Sequence, residues 1–411
     1  MFSTGSSTLN DCRMTLGDRE APRVLVIGPD LPHLGVAGSI LLHRLFQGWP
    51  PGSLLAAGPS VPANILKYPC RFLTYQPPLG RFEQTRAVRF LRLLRGLRVI
   101  PAGRIAPPDF QPDVVVHILS SLAYSEAAYS YSLRSGVPLV LILHDDPEEF
   151  NGSYSWANHL TRRQVQRIYC HASRRLCISP ELECLLRERY GAAGEVMYPN
   201  RSEFISPRHP QAAVPLKVTG RLTLGFAGSQ SYGYGPRLQE LVPILRRAQT
   251  TVRVYGGNLP DTDCADVLVN MGRLKSPEIL WQHVQNECDG VLLPYCFPNQ
   301  GHQELYRTHF PSKLPEYLAL GMPVLITGPQ YANGVKWGLR NPDSCLVITE
   351  QAGDQWINVL TQLRQDADLR VRLAATAVLS GNRDFEPNNI RSFFCKAITE
   401  TASISRGNSA E

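Results

Sequence analysis

The stretch HFPSKLPEYLALGMPVLITG, residues 309–328, reads as a short helix that leads directly into a buried strand. Ser312 stands at the position of a helix N-cap, and Pro315 falls in the first turn, where its missing N–H costs little. Gly321 supplies a stop signal, and Pro323 opens the apolar run of the strand. A helix joined closely to a buried strand is a repeating unit of parallel α/β sheets, so this stretch indicates that fold class.

The same alternation of apolar runs and amphipathic helical patterns extends along the chain in both directions. The predicted strands are 23–28, 113–119, 138–143 and 174–179 in the first half, and 222–228, 252–257, 266–272, 289–295, 323–328 and 345–349 in the second half. Helical patterns separate several of these runs, which favours parallel strands. The sequence therefore predicts two Rossmann-like, doubly wound parallel-sheet α/β domains that face each other across a cleft. Ligands of such sheets bind at the carboxyl ends of the strands.

Changes in composition divide the chain into domains and connecting segments. A polar, Pro-rich segment interrupts the alternation at residues 201–221 and is predicted to be an interdomain linker. The full set of predicted segments is a tail at 1–21, an N-terminal Rossmann-like domain at 22–200, the linker, a C-terminal Rossmann-like domain at 222–382, a C-terminal helix at 383–402 that could cross back to the first domain, and a tail at 403–411.

The bulk composition is that of an ordinary globular protein. The 411 residues are 43% hydrophobic and 19% charged, and the formal net charge of +7 suits anionic ligands without demanding nucleic acid. The ten cysteines form no Cys-x-x-Cys pair and no zinc-type Cys/His cluster, so we expect reduced thiols in a cytoplasmic protein. No secretory signal and no apolar run of about 18 residues is found, so we expect no membrane-spanning segment.

The start of the helix in the opening stretch has the composition of an anion site. Free amides at Ser312, Lys313 and Leu314, together with the Lys313 ammonium, would suit a phosphate. Glu316 lies one turn further and would repel a phosphate, but its carboxylate could accept hydrogen bonds from a ribose diol. The combination suggests a nucleoside diphosphate. The alternative is a well-capped core helix in which Glu316 only complements the helix dipole.

Several motifs resemble those of the GT-B nucleotide-sugar glycosyltransferases, especially the retaining family called family four or group 1. The run FPSKLPEYLALGMPVLITG resembles the donor-site helix of that family and is the most specific motif. The other matching pieces are LTLGFAGS (222–229), VYGGN (254–258), VNMGRL (269–274), CDGVLLPY (288–295), LVLILHDD (139–146) and the segment 178–200 that ends in Pro-Asn. The resemblance covers residues 22–400 and implies an acceptor-side first domain and a donor-binding second domain.

The resemblance also implies roles for individual residues. His144 would act on the transferred sugar and its leaving phosphate, with Lys313 as the second catalytic group. The donor-binding residues that it implies are Glu316 for the ribose, Ser312, Lys313 and Leu314 for the diphosphate, Gly228 and Ser229 beside the phosphates, Gly272, Arg273 and Leu274 around the base, and the position of Thr308 near the sugar. From the sequence itself, Gly35 and Gly38 in the first loop would let backbone approach a ligand, or are simple loop glycines.

Two departures from the family pattern concern the donor. The family carries an acidic residue eight positions before Glu316, where this chain has Thr308. It also often places an Arg and a Lys shortly after the turn at Gly228, and this chain has no basic residue there before Arg237. Lys313, Arg307 or Arg237 could neutralise the diphosphate instead.

Two further segments carry charge patterns of their own. The segment 81–104 has seven arginines and one glutamate on an amphipathic pattern, and it could contact an anionic membrane, grip a phosphate-bearing acceptor, or be a surface helix. Asp261-Thr262-Asp263 spells the metal-binding motif of another glycosyltransferase fold, but it falls in a polar loop, so we predict no metal site there. We expect no resident cofactor.

We therefore expect a metal-independent, retaining glycosyltransferase of glycan, glycolipid or polysaccharide biosynthesis. It would transfer a sugar from a nucleoside-diphosphate sugar to an acceptor hydroxyl on a glycan, a lipid-linked sugar or a small molecule. A cytoplasmic location, with possible peripheral contact at the inner membrane face, fits this role. The alternatives are a sugar-nucleotide epimerase on the same fold, and a nucleotide-sugar-binding protein that does not catalyse transfer.

Overall fold

The computed structural model describes residues 21–35, 37–78, 105–148, 155–202, 205–208, 220–230, 233–257, 264–297 and 303–407. The chain divides into two compact units. The first unit is built from Met1–Tyr198 together with Pro387–Glu411, and the second unit is Pro199–Glu386. The last helix therefore belongs to the first unit, although it follows the second unit in sequence. The segments 81–104 and 261–263 singled out above lie outside the described residues.

The first unit contains a seven-stranded parallel sheet in the order β3-β2-β1-β4-β5-β6-β7. Its strands are β1 Val24–Ile27, β2 Leu54–Gly58, β3 Arg71–Thr74, β4 Val114–Ile118, β5 Leu139–Leu143, β6 Arg174–Cys177 and β7 Glu195–Val196. The helices of this unit are Ala37–Leu45, Leu122–Ser135, Ser155–His171, Pro180–Tyr190 and Pro387–Gly407, with a 3₁₀ turn at Pro51–Ser53. The strand order reverses beside β1, as in doubly wound folds.

The helix Pro387–Gly407 completes the hydrophobic core of the first unit. Ile390, Phe394 and Ile398 are buried in the same cluster as the central strands. The Phe394 ring meets the Phe46 ring edge to face, with the ring centroids 5.2 Å apart. Each fully buried side chain of this size contributes about 1.5–3 kcal/mol, so the last helix is an integral part of this unit.

The second unit contains a six-stranded parallel sheet in the order β10-β9-β8-β11-β12-β13. Its strands are β8 Leu222–Ala227, β9 Thr250–Tyr255, β10 Leu268–Gly272, β11 Gly290–Pro294, β12 Val324–Thr327 and β13 Leu346–Ile348. Its helices are Tyr234–Glu240, Val242–Arg247, Pro277–Glu287, Gln303–Thr308, Lys313–Ala319, Asn333–Arg340, Asp354–Gln365 and Ala367–Phe385. Two sheets of parallel strands confirm the predicted fold class.

The described parts of the predicted linker pack on the second unit. The Arg201 amide donates to the Phe385 carbonyl at 3.2 Å, and the Arg208 amide donates to the Ala319 carbonyl at 3.3 Å. Within the described residues, no helix has both the length and the apolar character needed to cross a bilayer.

The helix Lys313–Ala319 is fixed between the end of β8 and the helix Ala367–Phe385. The Ala227 amide donates to the Tyr317 hydroxyl at 2.9 Å, which ties the helix to the last residue of β8. On the other side Gly381 allows close packing, because a Cβ there would lie 2.9 Å from the Cβ of Leu318. These contacts hold the helix against the carboxyl end of the second sheet.

Candidate functional site

Three glycines lie side by side at the carboxyl ends of neighbouring strands of the second sheet. The Gly228 amide donates to the Tyr255 carbonyl at 2.8 Å, and the Gly256 amide donates to the Gly272 carbonyl at 2.8 Å. A Cβ at Gly256 would lie 3.3 Å from the Gly228 carbonyl oxygen, so this edge of the sheet is made of closely packed backbone. Gly228 and Gly272, both predicted at the donor site, are thus brought together through Gly256.

Lys313 lies directly over Gly228. A Cβ added to Gly228 would be 2.2 Å from the Cε atom of Lys313. The prediction placed a ligand against this glycine, but the lysine side chain occupies that face. The Lys313 Nζ atom lies 4.4 Å from the ring centroid of Tyr234 and 5.7 Å from that of Phe226.

The Lys313 amine is electrostatically unbalanced. Within the described part of the chain its Nζ atom makes no hydrogen bond and no ion pair. Burial lowers the pKa of Lys313 to about 8, and the nearby charge of Glu316 only partly opposes this shift. Lys313 is half-buried. A partly desolvated cation without a counter-charge in contact is less stable than a solvated one, and a bound anion would offset that cost.

Glu316 lies on the same helix and is 7% exposed. Its partner comes from the segment that follows the boundary between the two units at Pro199. Its Oε1 atom accepts a hydrogen bond of 3.1 Å from the Ser202 amide. Arg201 is also buried. Burial lowers the pKa of its guanidinium, whereas the charges of Glu386 and Glu316 raise it. The sequence predicted Glu316 but gave no signal for Ser202.

The start of the helix differs from the prediction. Ser312 is exposed and already helical, with φ −59° and ψ −15°, so its side chain cannot take the extended N-cap geometry and makes no capping bond. The Leu314 amide donates to the Pro311 carbonyl at 3.0 Å and is therefore not free for a ligand. Ser312 therefore stands at the N-cap position, as predicted, but its side chain does not cap the helix. The predicted cradle of three free amides is wrong at Leu314, and the Lys313 side chain is the cationic group at this end of the helix.

The remaining predicted donor residues differ in accessibility. Ser229 and Arg273 are exposed, and Leu274 is half-buried at the end of β10. Thr308 is buried, and its carbonyl accepts a hydrogen bond of 3.0 Å from the Asn333 side chain. The position that is acidic in the resembled family therefore does not present its side chain to solvent here.

Of the two arginines considered as neutralising groups, Arg237 has a structural role. Its side chain is 1% exposed, and it donates to Glu240 at 3.0 Å and to the Gln351 carbonyl at 2.8 Å. Its guanidinium also lies over the rings of Phe297 and Trp356. That possible role of Arg237 is therefore contradicted, because its charge is used inside the core. The Arg307 guanidinium lies 5.0 Å from the ring centroid of Tyr331.

In the first unit, His144 lies in a group of polar residues at the ends of β1, β4 and β5. Its Nδ1 atom is 3.5 Å from the Asp145 carboxylate. Asp30 follows β1, and its carboxylate accepts a hydrogen bond of 2.7 Å from the Ser120 hydroxyl. Burial acts to lower the pKa of His144, but the contact with Asp145 and the charges of Asp145 and Asp30 raise it above its ordinary value. The protonated imidazole is thus more stable here than in a free histidine. Asp30 was missed in the sequence, although it stands directly after a predicted strand.

Gly35 and Gly38 are covered by side chains of their own loop. A Cβ at Gly35 would lie 2.7 Å from the His33 ring, and a Cβ at Gly38 would lie 2.7 Å from the Asp30 carboxylate. The Gly35 amide donates to the Nδ1 atom of His33 at 3.0 Å. These contacts explain why both positions need glycine even when no ligand is bound. They agree with the alternative that Gly35 and Gly38 are simple loop glycines.

Comparison with known proteins identifies related folds. Residues 59–199 match the sequence model of Glycosyltransferase Family 4. HepE from Anabaena, solved with UDP and glucose, is 13% identical, with a TM-score of 0.58 over 92% of this chain and 99% of that chain. Sucrose-phosphate synthase from Thermosynechococcus elongatus is 13% identical, with a TM-score of 0.62 over 94% of this chain and 100% of that chain. A glycosyltransferase from Rickettsia africae is 11% identical, with a TM-score of 0.62 over 93% and 99% of the two chains.

A comparison with curated protein sequences finds no match. The structural likeness spans both parallel sheets, because the three comparisons cover 92%, 94% and 93% of this chain. The chain therefore has the GT-B fold, and its residues 59–199 are similar in sequence to Glycosyltransferase Family 4.

Proposed function

We propose that this protein is a glycosyltransferase that takes a nucleoside-diphosphate sugar and passes the sugar to an acceptor hydroxyl. The observation that carries the proposal is the pairing of Lys313 and Glu316 on one helix beside the glycine-lined strand ends of the second unit. A cation without a counter-charge suits a diphosphate, and a buried carboxylate suits the hydroxyls of a ribose. The family match and the GT-B fold support the same reaction class.

The diphosphate would sit at the Lys313 amine, and Glu316 would accept hydrogen bonds from the ribose. Ser229, Gly272, Arg273 and Leu274 lie on strand ends around this position and would contact the rest of the nucleotide. UDP is the first nucleotide to test, since HepE has been solved with UDP and with UDP-glucose. Catalysis would come from fixing the donor and stabilising the charge that develops on the departing diphosphate.

His144 is our candidate for the group of the first unit that acts on the transferred sugar. Its neighbours Asp145 and Asp30 favour the imidazolium, which can donate a hydrogen bond and stabilise negative charge. We propose that the sugar is transferred with retention and without a resident metal or cofactor. Chelation with EDTA is therefore expected to leave the rate unchanged.

The acceptor is proposed to be a glycan, a lipid-linked sugar or a small molecule, in polysaccharide or glycolipid biosynthesis. Peripheral contact with an anionic membrane would use the arginine-rich segment 81–104. Co-sedimentation with vesicles containing phosphatidylglycerol at low salt tests this contact. A protein that stays in the supernatant would exclude it.

The binding test is a titration of UDP-sugars, GDP-sugars and ADP-sugars into wild type and Glu316→Gln by calorimetry. The substitution keeps the size of the side chain and removes the charge. Hydrogen bonds to a charged group contribute about 1.5–3 kcal/mol, so we expect about 10- to 150-fold weaker binding of the preferred donor. Glu188→Gln, on an exposed face of the first unit, is the matched control and should bind as wild type does.

Turnover is tested separately by NMR detection of nucleoside diphosphate release and of the anomeric product. Release with transfer supports the glycosyltransferase, and the product anomer decides retention. Binding without release would favour the non-catalytic alternative, while appearance of an epimeric nucleotide sugar would favour the epimerase. If no donor binds to wild type, the proposal fails.

A further inference from the structure

The Lys313 amine makes cation–π contacts with two aromatic rings. The Tyr234 ring centroid is 4.4 Å from its Nζ atom, the Phe226 ring centroid is 5.7 Å from the same atom, and Gly228 faces its Cε atom. Ring faces stabilise an ammonium only modestly compared with a carboxylate in contact. The surroundings therefore shield the half-buried lysine from part of the solvent without supplying a salt bridge.

The charged groups around the amine are few. Glu316, one turn along the same helix, is the group whose charge acts on it. Its carboxylate is directed to the Ser202 amide at 3.1 Å and forms no ion pair with Lys313 in the described residues. The other elements packed on the lysine contribute the Phe226 ring of β8 and the Tyr234 ring. Burial raises the pKa of the Tyr234 phenol, so it stays neutral.

We propose that Lys313 is a proton-coupled receptor for the donor's diphosphate, so that binding of the diphosphate draws a proton from solvent onto those lysine amines that lack one. The inference rests on the proposed function and adds to it a dependence on pH. The step is Lys–NH₂ plus H⁺ giving Lys–NH₃⁺, with the buffer as the proton source. The phosphate oxygens supply the counter-charge that the aromatic setting lacks.

The expected number of protons taken up follows from the pKa of Lys313 in the free and in the bound protein. Burial brings the pKa of Lys313 to about 8 in the free protein, whereas contact with an anion returns it towards its ordinary value of 10.5. About half of the free molecules then lack the proton at pH 8 and about nine-tenths lack it at pH 9. Binding should take up about 0.5 proton at pH 8 and weaken about tenfold between pH 7 and pH 9.

The test is calorimetric titration of UDP at pH 8 in two buffers with different ionisation enthalpies. The slope of the binding enthalpy against the buffer enthalpy gives the number of protons taken up. We expect about 0.5 for wild type and close to zero for Lys313→Arg, because a guanidinium stays protonated at this pH. Titration of the nucleotide itself is the same for both proteins, so it cancels in the difference. Lys396→Arg, at an exposed position of the first unit, should behave as wild type.

The outcomes separate this inference from the proposed function. UDP binding with equal proton uptake in wild type and Lys313→Arg would overturn the inference and leave the proposed function intact. If UDP, GDP and ADP all fail to bind, the proposed function fails. Competitive acetylation of the six lysines with acetic anhydride, read by mass spectrometry with and without inorganic pyrophosphate, then decides. We expect Lys313 to titrate near pH 8 and to move upward with pyrophosphate. An ordinary lysine titration, or no movement, would refute the inference.

Discussion

Replacing Gly228 with alanine should destabilise the protein through two separable effects. Gly228 has φ +130°, a backbone conformation that a residue with a Cβ adopts only with strain of about 1–3 kcal/mol. The new methyl group would also lie 2.2 Å from the Cε atom of Lys313, far inside van der Waals contact. The Lys313 side chain must therefore move and lose its contact with the Tyr234 ring.

The second effect can be sized from what Lys313 loses. Displacing one or two buried methylene groups costs about 0.8 kcal/mol each, and loss of the contact with Tyr234 costs about 0.5–1 kcal/mol. Gly228→Ala should therefore cost about 2–6 kcal/mol in total, of which about 1–3 kcal/mol depends on Lys313. In the Lys313→Ala background there is no lysine to displace, so only the backbone strain should remain.

A double-mutant cycle measures this coupling in the full-length protein. Differential scanning calorimetry of wild type, the two single variants and the double variant gives the shift of each unfolding transition. For a unit of this size 1 kcal/mol corresponds to about 2–4 °C, so the cost of Gly228→Ala should shrink by several degrees when Lys313 is alanine. An equal cost in both backgrounds would show that the lysine does not rest on this glycine, and the described site would be wrong.

Three other measurements test the electrostatics of the two units. Asp30→Asn should lower the pKa of His144, because the Asp30 charge raises it. NMR titration of the imidazole in the free protein measures this change, and an unchanged pKa would show that the two residues are not neighbours. Arg237→Ala should destabilise the protein by about 2–5 kcal/mol, because it removes a buried side chain that packs on the Phe297 and Trp356 rings. Arg237→Lys should recover part of this loss, and donor affinity should stay the same in the folded variants. Burial lowers the pKa of His117 to about 4, so the unfolded chain binds a proton there at higher pH than the native one. The free energy of unfolding should therefore fall by about 3 kcal/mol between pH 6.5 and pH 4. Urea unfolding of His117→Gln should show most of this pH-dependent fall removed.

The fold could be predicted from sequence because its central strands are continuous apolar runs. The runs at β4 and β5 have no polar interruption beyond His117 and contain β-branched residues, which is typical of strands covered on both faces. The strands β2, β3 and β7 were not predicted. The first of these is Leu-Leu-Ala-Ala-Gly, without a β-branched residue, and the other two are short edge strands that are partly exposed. Such segments are defined by their neighbours more than by their own pattern.

The candidate site was predictable only in part, because sequence spacing does not give side-chain direction. The helix with Lys313 and Glu316 could be found from its residues. The position of the lysine over a glycine from a different strand could not, since it depends on how β8 and this helix meet through Tyr317. Ser312 looked like a cap but is already in helical conformation, because the turn begins at Pro311.

The placement of the last helix has a consequence for biosynthesis. Phe394 and Ile398 are core residues of the first unit, yet the ribosome makes them after the whole of the second unit. The second unit is continuous in sequence, so all of its residues are available while the first unit still lacks part of its interior. The half of the protein that is synthesised first is therefore completed last, and premature termination before residue 390 would leave its apolar sheet face open to aggregation.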